Sequence, residues 1–247
     1  TADGGGWLAV GAANGAATDP ARVYFFRPET PGDPLSRFVV AGCAEAPPAS
    51  GFGSALAAGD IGDDGNDDLV VRSPDGLAVY SGADLEALTP TSDPHDPRPC
   101  ARHDEPTGVP ARVLTIRCED DRPRGVRCSE RFGLALAIGN LDGDGAPEIL
   151  AGDPHADVGG ASRAGAVHIF RVTVGAPWTA SRDATLSDAV PESGQRLGTS
   201  IALVAGGGRA EPFVGAPGSG EAFLFRCTGL VGDRPGAAGL DGRCLPR

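Results

Sequence analysis

Two stretches of the chain, FGSALAAGDIGDDGNDDLVVRSP from Phe52 and FGLALAIGNLDGDGAPEILAGDP from Phe132, superpose without a gap. In each, a Phe-Gly pair opens an apolar run, a Gly-Asp or Gly-Asn leads into a nine-residue acidic loop, and a second apolar run ends in Pro. Apolar runs of this length on either side of an Asp- and Gly-rich turn form two strands flanking a tight connection. A weaker copy, LGTSIALVAGGGRAEPFVGAP from Leu197, and a half copy, DGGGWLAVGAA from Asp3, extend the pattern along the chain.

The full copies start at 52, 132 and 197, so their spacing of 80 and then 65 residues leaves room for insertions. After each copy comes a third run rich in β-branched and aromatic residues: RVYFF ending at Phe26, LAVY at Tyr80, AVHIF at Phe170 and AFLF at Phe225. A fourth follows as RFVV at 37–40, RVLTI at 112–116 and DATL at 183–186. With 38 Gly and 22 Pro and no long helix-forming stretch, the chain is expected to be all-β. Four antiparallel strands per repeat is the sequence form of a β-propeller, each blade covering its neighbour's apolar face. The expected division is a partial blade at 1–50, then blades at 51–131, 132–196 and 197–247.

The Phe-Gly pair, the acidic loop and the hydrophobic-Gly-x-Pro ending, in that order, resemble the FG-GAP repeats that build the β-propeller of integrin α subunits and of many bacterial secreted or surface proteins. The likeness is most specific in the two copies at 52 and 132. It implies a calcium loop with ligands at positions one, three, five and nine and a backbone carbonyl at seven. In the first loop these fall on Asp60, Gly62, Asp64, Asn66 through its carbonyl, and Asp68, with position three lacking a side chain that water or Asp63 could replace. In the second they fall on Asn140, Asp142, Asp144, Ala146 through its carbonyl, and Glu148. Hard oxygen donors wrapped around a short Gly-containing turn suit Ca2+. The bland alternative is a pair of ordinary Asp-Gly turns on a solvated surface. The corresponding segment at 205–211 contains Arg209 and keeps one acid, so no metal is expected there, and the half copy offers Asp3 at position five but Trp7 at position nine.

Integrin-like propellers have seven blades, whereas about three and a half are encoded here, starting between strands one and two of a blade. The expectation is an open arc belonging to a longer chain, or one closed by a second copy or a partner, and the absence of any Met fits a chain that begins after its own translation start. By the same resemblance, calcium loops line the lower face and ligands meet the upper loops after strands two and four. Those loops are 152–165 and 118–128, the second carrying Arg122, Arg124 and Arg127.

A net charge of -12 argues against nucleic acid as a partner, because phosphate binding needs a basic surface and the 21 basic residues, all Arg, are dispersed among 33 acids. No apolar run is long enough to cross a membrane as a helix. Six Cys at 43, 100, 118, 128, 227 and 244 lack the paired spacing of a zinc site and read as disulfides formed in an oxidising compartment. Cys118 with Cys128 and Cys227 with Cys244 would close local loops, leaving Cys43 and Cys100 for each other.

No HExxH, GxSxG or Walker motif is present. His168 alternates with Val167 and Ile169 and reads as structural, His95 and His103 lie in a Pro-rich insert, and His155 with Asp153 and Asp157 forms a lesser candidate ligand or metal site. The expectation is a noncatalytic, calcium-binding propeller segment of a secreted or cell-surface protein, recognising an extracellular protein or glycan in adhesion. The alternatives are a lectin-type carbohydrate-binding propeller and an accessory domain of a secreted hydrolase or lyase.

Overall fold

A computed structural model describes residues 6–13, 18–33, 35–89, 100–102, 110–119, 125–206, 208–227 and 244–246. The chain divides into two compact units, Thr1–Ile116 and Arg117–Arg247.

In the first unit, β1 (Leu8–Ala12), β2 (Ala21–Pro28) and β3 (Phe38–Ala46) form an antiparallel meander. A second meander contains β4 (Leu56–Gly59), β5 (Asp68–Ser73) and β6 (Gly76–Tyr80). A short helix, α1 (Gly82–Glu86), follows and places Leu85 in the core. The helix is an addition to the all-β expectation. The strand β7 (Ala101–Arg102) then pairs in parallel with β3, and β8 (Arg112–Ile116) completes the second sheet beside β6. Cys100, next to β7, is bonded to Cys43 within β3, so this disulfide fastens the parallel strand to the first sheet.

The second unit repeats the design. Its first sheet runs β10 (Ala135–Gly139), β11 (Glu148–Asp153), β13 (Ala166–Thr173) and β14 (Thr179–Leu186). Its second runs β15 (Ser200–Gly206), β16 (Arg209–Ala216), β17 (Glu221–Cys227) and β18 (Cys244–Pro246). A separate two-stranded ladder joins β9 (Val126–Arg127) to β12 (Asp157–Val158). The segment Cys244–Pro246 thus supplies a fourth strand that the sequence pattern does not mark, with Cys227 opposite Cys244 in register. Cys227 is disulfide-bonded, as is Cys118 to Cys128; the Cys244 side chain lies outside the described residues.

Why four-stranded sheets stack this way follows from burial. The inner strands β5 and β11 are buried on both faces rather than alternately, as expected for strands covered on each side. In the first unit one cluster joins Val23, Phe25 and Ala44 of the first sheet to Leu69, Val71, Ala78 and Tyr80 of the second, with Phe52 between. In the second unit Leu150, Val167 and Ile169 pack with Val214, Ala216 and Phe225, with Leu197 in the position of the Phe.

The repeat's glycines are explained at the seam between sheets. A Cβ on Gly11 would lie 2.0 Å from the Gly53 carbonyl oxygen, and one on Gly152 would lie 2.1 Å from that of Gly198. The Gly that ends one blade's second strand therefore touches the Gly of the next blade's Phe-Gly position. Gly53, Gly133 and Gly198 also adopt φ of 73°, 76° and 90°, where a side chain is strained. Each donates its N–H to the second strand of its own sheet, at Arg72 (2.9 Å), Gly152 (2.9 Å) and Gly215 (3.1 Å) respectively.

One irregularity recurs. The ladder between the third and fourth strands slips at Phe25/Phe26, Val79/Tyr80 and Ile169/Phe170, the same place in three sheets. Such bulges re-aim the side chains beside them. The residues that follow are Arg27, Ser81 and Arg171.

Candidate functional site

The first acidic loop, joining β4 to β5, is organised from the inside outward. Ile61 is buried and anchors it, and Gly65 turns the chain at φ 84°. Asp60 accepts from Asp64 N at 3.0 Å and Gly65 N at 2.9 Å, while Asp64 accepts from Asn66 N at 2.8 Å and Asn66 Nδ2 at 3.2 Å. Asp68, 1% exposed, accepts from Ile61 N (3.0 Å), Gly62 N (3.1 Å) and Gly82 N (2.8 Å). Burial pushes the Asp68 carboxyl above its ordinary range, and these backbone N–H groups oppose the shift. Gly82 is required at that approach, since a Cβ there would meet the Asp67 carbonyl oxygen at 2.5 Å. Asp60, Asp63, Asp64, Asp67 and Asp68 put five carboxylates in nine residues, and among the described residues none is paired with a cationic side chain.

The second loop, joining β10 to β11, is closed differently. Leu141 replaces Ile61 as the buried anchor and Gly145 turns at φ 101°. Asn140 Oδ1 accepts from Gly143 N at 2.7 Å, and Asp144 Oδ1 from Ala146 N at 2.9 Å. Asp142, Asp144 and Glu148 bring carboxylate oxygens within 4.8 Å of one another, a convergence that the first loop lacks. At their centre lies the guanidinium of Arg171 from β13. Its Nη2 donates to Asp142 Oδ2 at 2.8 Å and to Glu148 Oε1 at 2.7 Å, and its Nη1 to Asp144 Oδ2 at 2.7 Å. Its Nε donates to Asp183 of β14 at 3.0 Å.

The electrostatics follow from that arrangement. Glu148 is 0% exposed, and burial above all raises its carboxyl to about 7, against the pull of the Leu141 N–H and Arg171. For Asp144, desolvation works upward but is outweighed by the Arg171 and Ala146 hydrogen bonds, and the net shift is down. Burial works against the Arg171 charge, yet Asp183, Asp144 and Glu148 hold it protonated still more firmly than usual.

The expected ligands are therefore treated unequally. Asp142, Asp144 and Glu148 converge; the Asn140 side chain and the Ala146 N–H are engaged in the turn itself. Asp60, Asp64 and Asp68 cap backbone groups, and Asn66 bonds Asp64. Arg171 was not among the residues singled out by spacing. A signal for it exists: the aromatic ending strand three is followed by Arg in three of four repeats, as Phe26-Arg27, Phe170-Arg171 and Phe225-Arg226, and by Ser81 in the remaining one.

The opposite end of the second unit's sheets gathers three loops. β11 starts at the acidic loop and ends at Asp153, so the segment after it emerges at the far end. There β9 and β12 join the two loops expected at the upper face, with Arg127 opposite Asp157. Asp153, buried and raised above its ordinary range chiefly by desolvation, accepts from Ser129 N at 2.8 Å and also from Ser129 Oγ. Gly194 N bonds Ser162 O at 2.8 Å, Arg196 N bonds Arg163 O at 3.1 Å, and Leu197 N bonds Ala164 O at 2.9 Å. Arg127, Arg163 and Arg196 are exposed, and among the described residues none of the three is ion-paired. Arg163 and Arg196 hold φ of 51° and 61°, a conformation costing a non-Gly residue about 1–3 kcal/mol. Arg122 and Arg124 lie outside the described residues, as do Asp3, His95 and His103.

Neither His155 nor His168, the two described histidines, is paired with a Ser or Cys nucleophile among the described residues. His168 is buried, stacked edge-on against Phe132, and 3.6 Å from the Cys118 sulfur of the Cys118–Cys128 disulfide. His155 faces Glu130 at 3.7 Å, while Asp153 turns to Ser129 and Asp157 accepts from Arg163 N, so this trio does not converge.

Sequence comparison matches the segment that contains the second acidic loop and Arg171's strand to a known repeat. Residues 132–170 match the model of the FG-GAP repeat. The match runs from the Phe of the Phe-Gly pair to the aromatic at the β13 bulge, so it covers β10, β11 and β13 up to one residue before Arg171. No curated protein matches the chain.

Proposed function

We propose that this chain is a noncatalytic recognition segment of β-propeller blades from a secreted or cell-surface protein, binding an anionic group of an extracellular protein or glycan. The observation that carries the reading is the surface of Arg127, Arg163 and Arg196 at the end of the second unit opposite its acidic loop. On a chain of net charge -12, three exposed arginines that have no carboxylate partner among the described residues form a local field of the opposite sign. Two of them stand in strained backbone, and loops fastened to one another through their main chains lose little entropy on binding. Guanidinium groups suit carboxylate or sulfate oxygens, which they engage in bidentate fashion. The lectin alternative gains nothing from the aromatics, since Trp7 and Trp178 are half-buried and Tyr80 is buried.

Calcium enters this reading through the first loop. Its carboxylates retain lone pairs beyond those used by backbone N–H groups, and among the described residues no cation neutralises them, so a hard ion would draw together Asp60, Asp64, Asp68 and the Asn66 carbonyl, which do not converge without it. Bound there, calcium would neutralise the loop and fix the β4–β5 turn. The disulfides fit an extracellular setting.

The test is an array carrying sulfated, carboxylated and neutral glycans beside acidic and neutral peptides, probed with the wild type and with Arg163→Glu plus Arg196→Glu. Salt-sensitive binding to one anionic class that the double variant loses supports the reading. Binding confined to neutral glycans, or unaffected by the charge reversal, sinks it.

A further inference from the structure

We infer that the second acidic loop is fastened by the chain's own Arg171 in place of a metal ion, and is therefore not a calcium site. The two loops share length and a pair of flanking strands, yet they differ at the position that follows the bulge of strand three. Where β13 leaves its bulge with Arg171, the equivalent position after β6 is Ser81. The bulge turns that side chain toward the loop end of the sheet, and Asp183 on the neighbouring strand holds its Nε. The guanidinium then takes three of the carboxylates that the family spacing assigns to a metal: Asp142, Asp144 and Glu148.

The occupancy is exclusive on geometric grounds. Calcium binds oxygen at about 2.3–2.6 Å. The Arg171 nitrogens already lie 2.7–2.8 Å from one oxygen of each of the three acids. An ion approaching the same oxygens would meet a half-buried like charge, so calcium could enter only by expelling the guanidinium.

The neighbouring sheet repeats the device in reduced form. Arg226, one residue past the aromatic of β17, donates to Glu211 at 2.9 Å, and Glu211 ends its seven-residue segment as Glu148 ends its nine-residue loop. That loop has lost its other acids and keeps this Arg–Glu pair. In both sheets of the second unit, an arginine from strand three thus holds the acid at the start of strand two. The first loop combines its Asp68 with Ser81 and has no such arginine. The inference uses the calcium reading of the first loop as its reference, and the experiment separates the two.

Calcium stoichiometry is measured by calorimetry on four proteins: wild type, Asp60→Asn with Asp64→Asn, Asp144→Asn, and Arg171→Ser, which copies the first loop's residue. The expected counts are one site in the wild type, none in the first-loop variant, one in Asp144→Asn, and two in Arg171→Ser. A wild type without calcium and one site in Arg171→Ser would reject the first-loop reading while upholding the role of Arg171. Loss of a site in Asp144→Asn, or no gain in a folded Arg171→Ser, overturns the inference. Should Arg171→Ser fail to fold, Asp144→Asn still decides, because an unchanged count there supports the inference and a lower one refutes it.

Discussion

Replacing Gly152 by Ala tests the seam on which the stacking of blades depends. The added Cβ would sit 2.1 Å from the Gly198 carbonyl oxygen and 3.3 Å from the Ala135 Cβ. Carbon-to-oxygen contacts normally lie near 3.3–3.6 Å, so the two sheets must part by more than about 1 Å along this edge. The obstacle is main chain, which cannot rotate away as a side chain would. Overpacking of this kind costs about 1–3 kcal/mol, and a backbone obstacle places Gly152→Ala toward the upper end. Reduced freedom of the unfolded chain returns about 0.4–1 kcal/mol. A net loss of about 2 kcal/mol lowers the melting temperature by about 4–8 °C for a chain of this size. Gly6→Ala is the control, since a Cβ there meets nothing within 4 Å. Differential scanning calorimetry of the two variants beside the wild type gives the comparison. A Gly152→Ala transition within 1 °C of both, taking about 1 °C as the resolution of the scan, would show that the seam is not packed as described.

Three further expectations follow from particular residues. Arg196 occupies the position where the repeat at 52 uses Gly51, at φ 73°, so Arg196→Gly should leave thermal stability equal or higher while weakening binding to the anionic ligand class; a clear loss of stability would refute the assignment of strain. The disulfides should rank by the loop they close: with separations of 57 and 10 residues, removing Cys43–Cys100 by serine substitution should cost about 4 kcal/mol and removing Cys118–Cys128 about 3 kcal/mol, measured by urea unfolding. The carboxyl of Asp153 is raised in the folded state, so its contribution is fully present below the unfolded carboxylate value near 3.9 and is lost as pH rises through the raised folded value. Asp153→Asn should therefore gain on the wild type as pH rises above the unfolded value, and a flat difference in urea midpoints would contradict the cause given for the shift.

Much of the blade was legible because it is local. A Phe-Gly, an apolar run, an Asp-rich turn and a second apolar run follow one another without interruption, and the hairpins β4–β5, β10–β11 and β15–β16 lie within those segments. The strand-three aromatics at Phe26, Tyr80 and Phe170 were legible too, although the bulges beside them were not. What escaped depends on distant partners. β7 and β18 are short segments that become strands because β3 and β17 offer open edges, and each carries or adjoins a cysteine. Arg171 lies outside the loop it fastens, 23 residues beyond Glu148, so a search for acids at loop spacing passes over it. The same distance effect hid Ser129, whose bonds to Asp153 tie the upper loops together.

The most direct test of the whole account is a crystal structure grown in calcium, with the ion located by its anomalous scattering after exchange for terbium. The account expects density at Asp60, Asp64, the Asn66 carbonyl and Asp68, and Arg171 still seated among Asp142, Asp144 and Glu148. A metal peak between those three acids with Arg171 turned out to solvent, or no peak in the first loop, would contradict it.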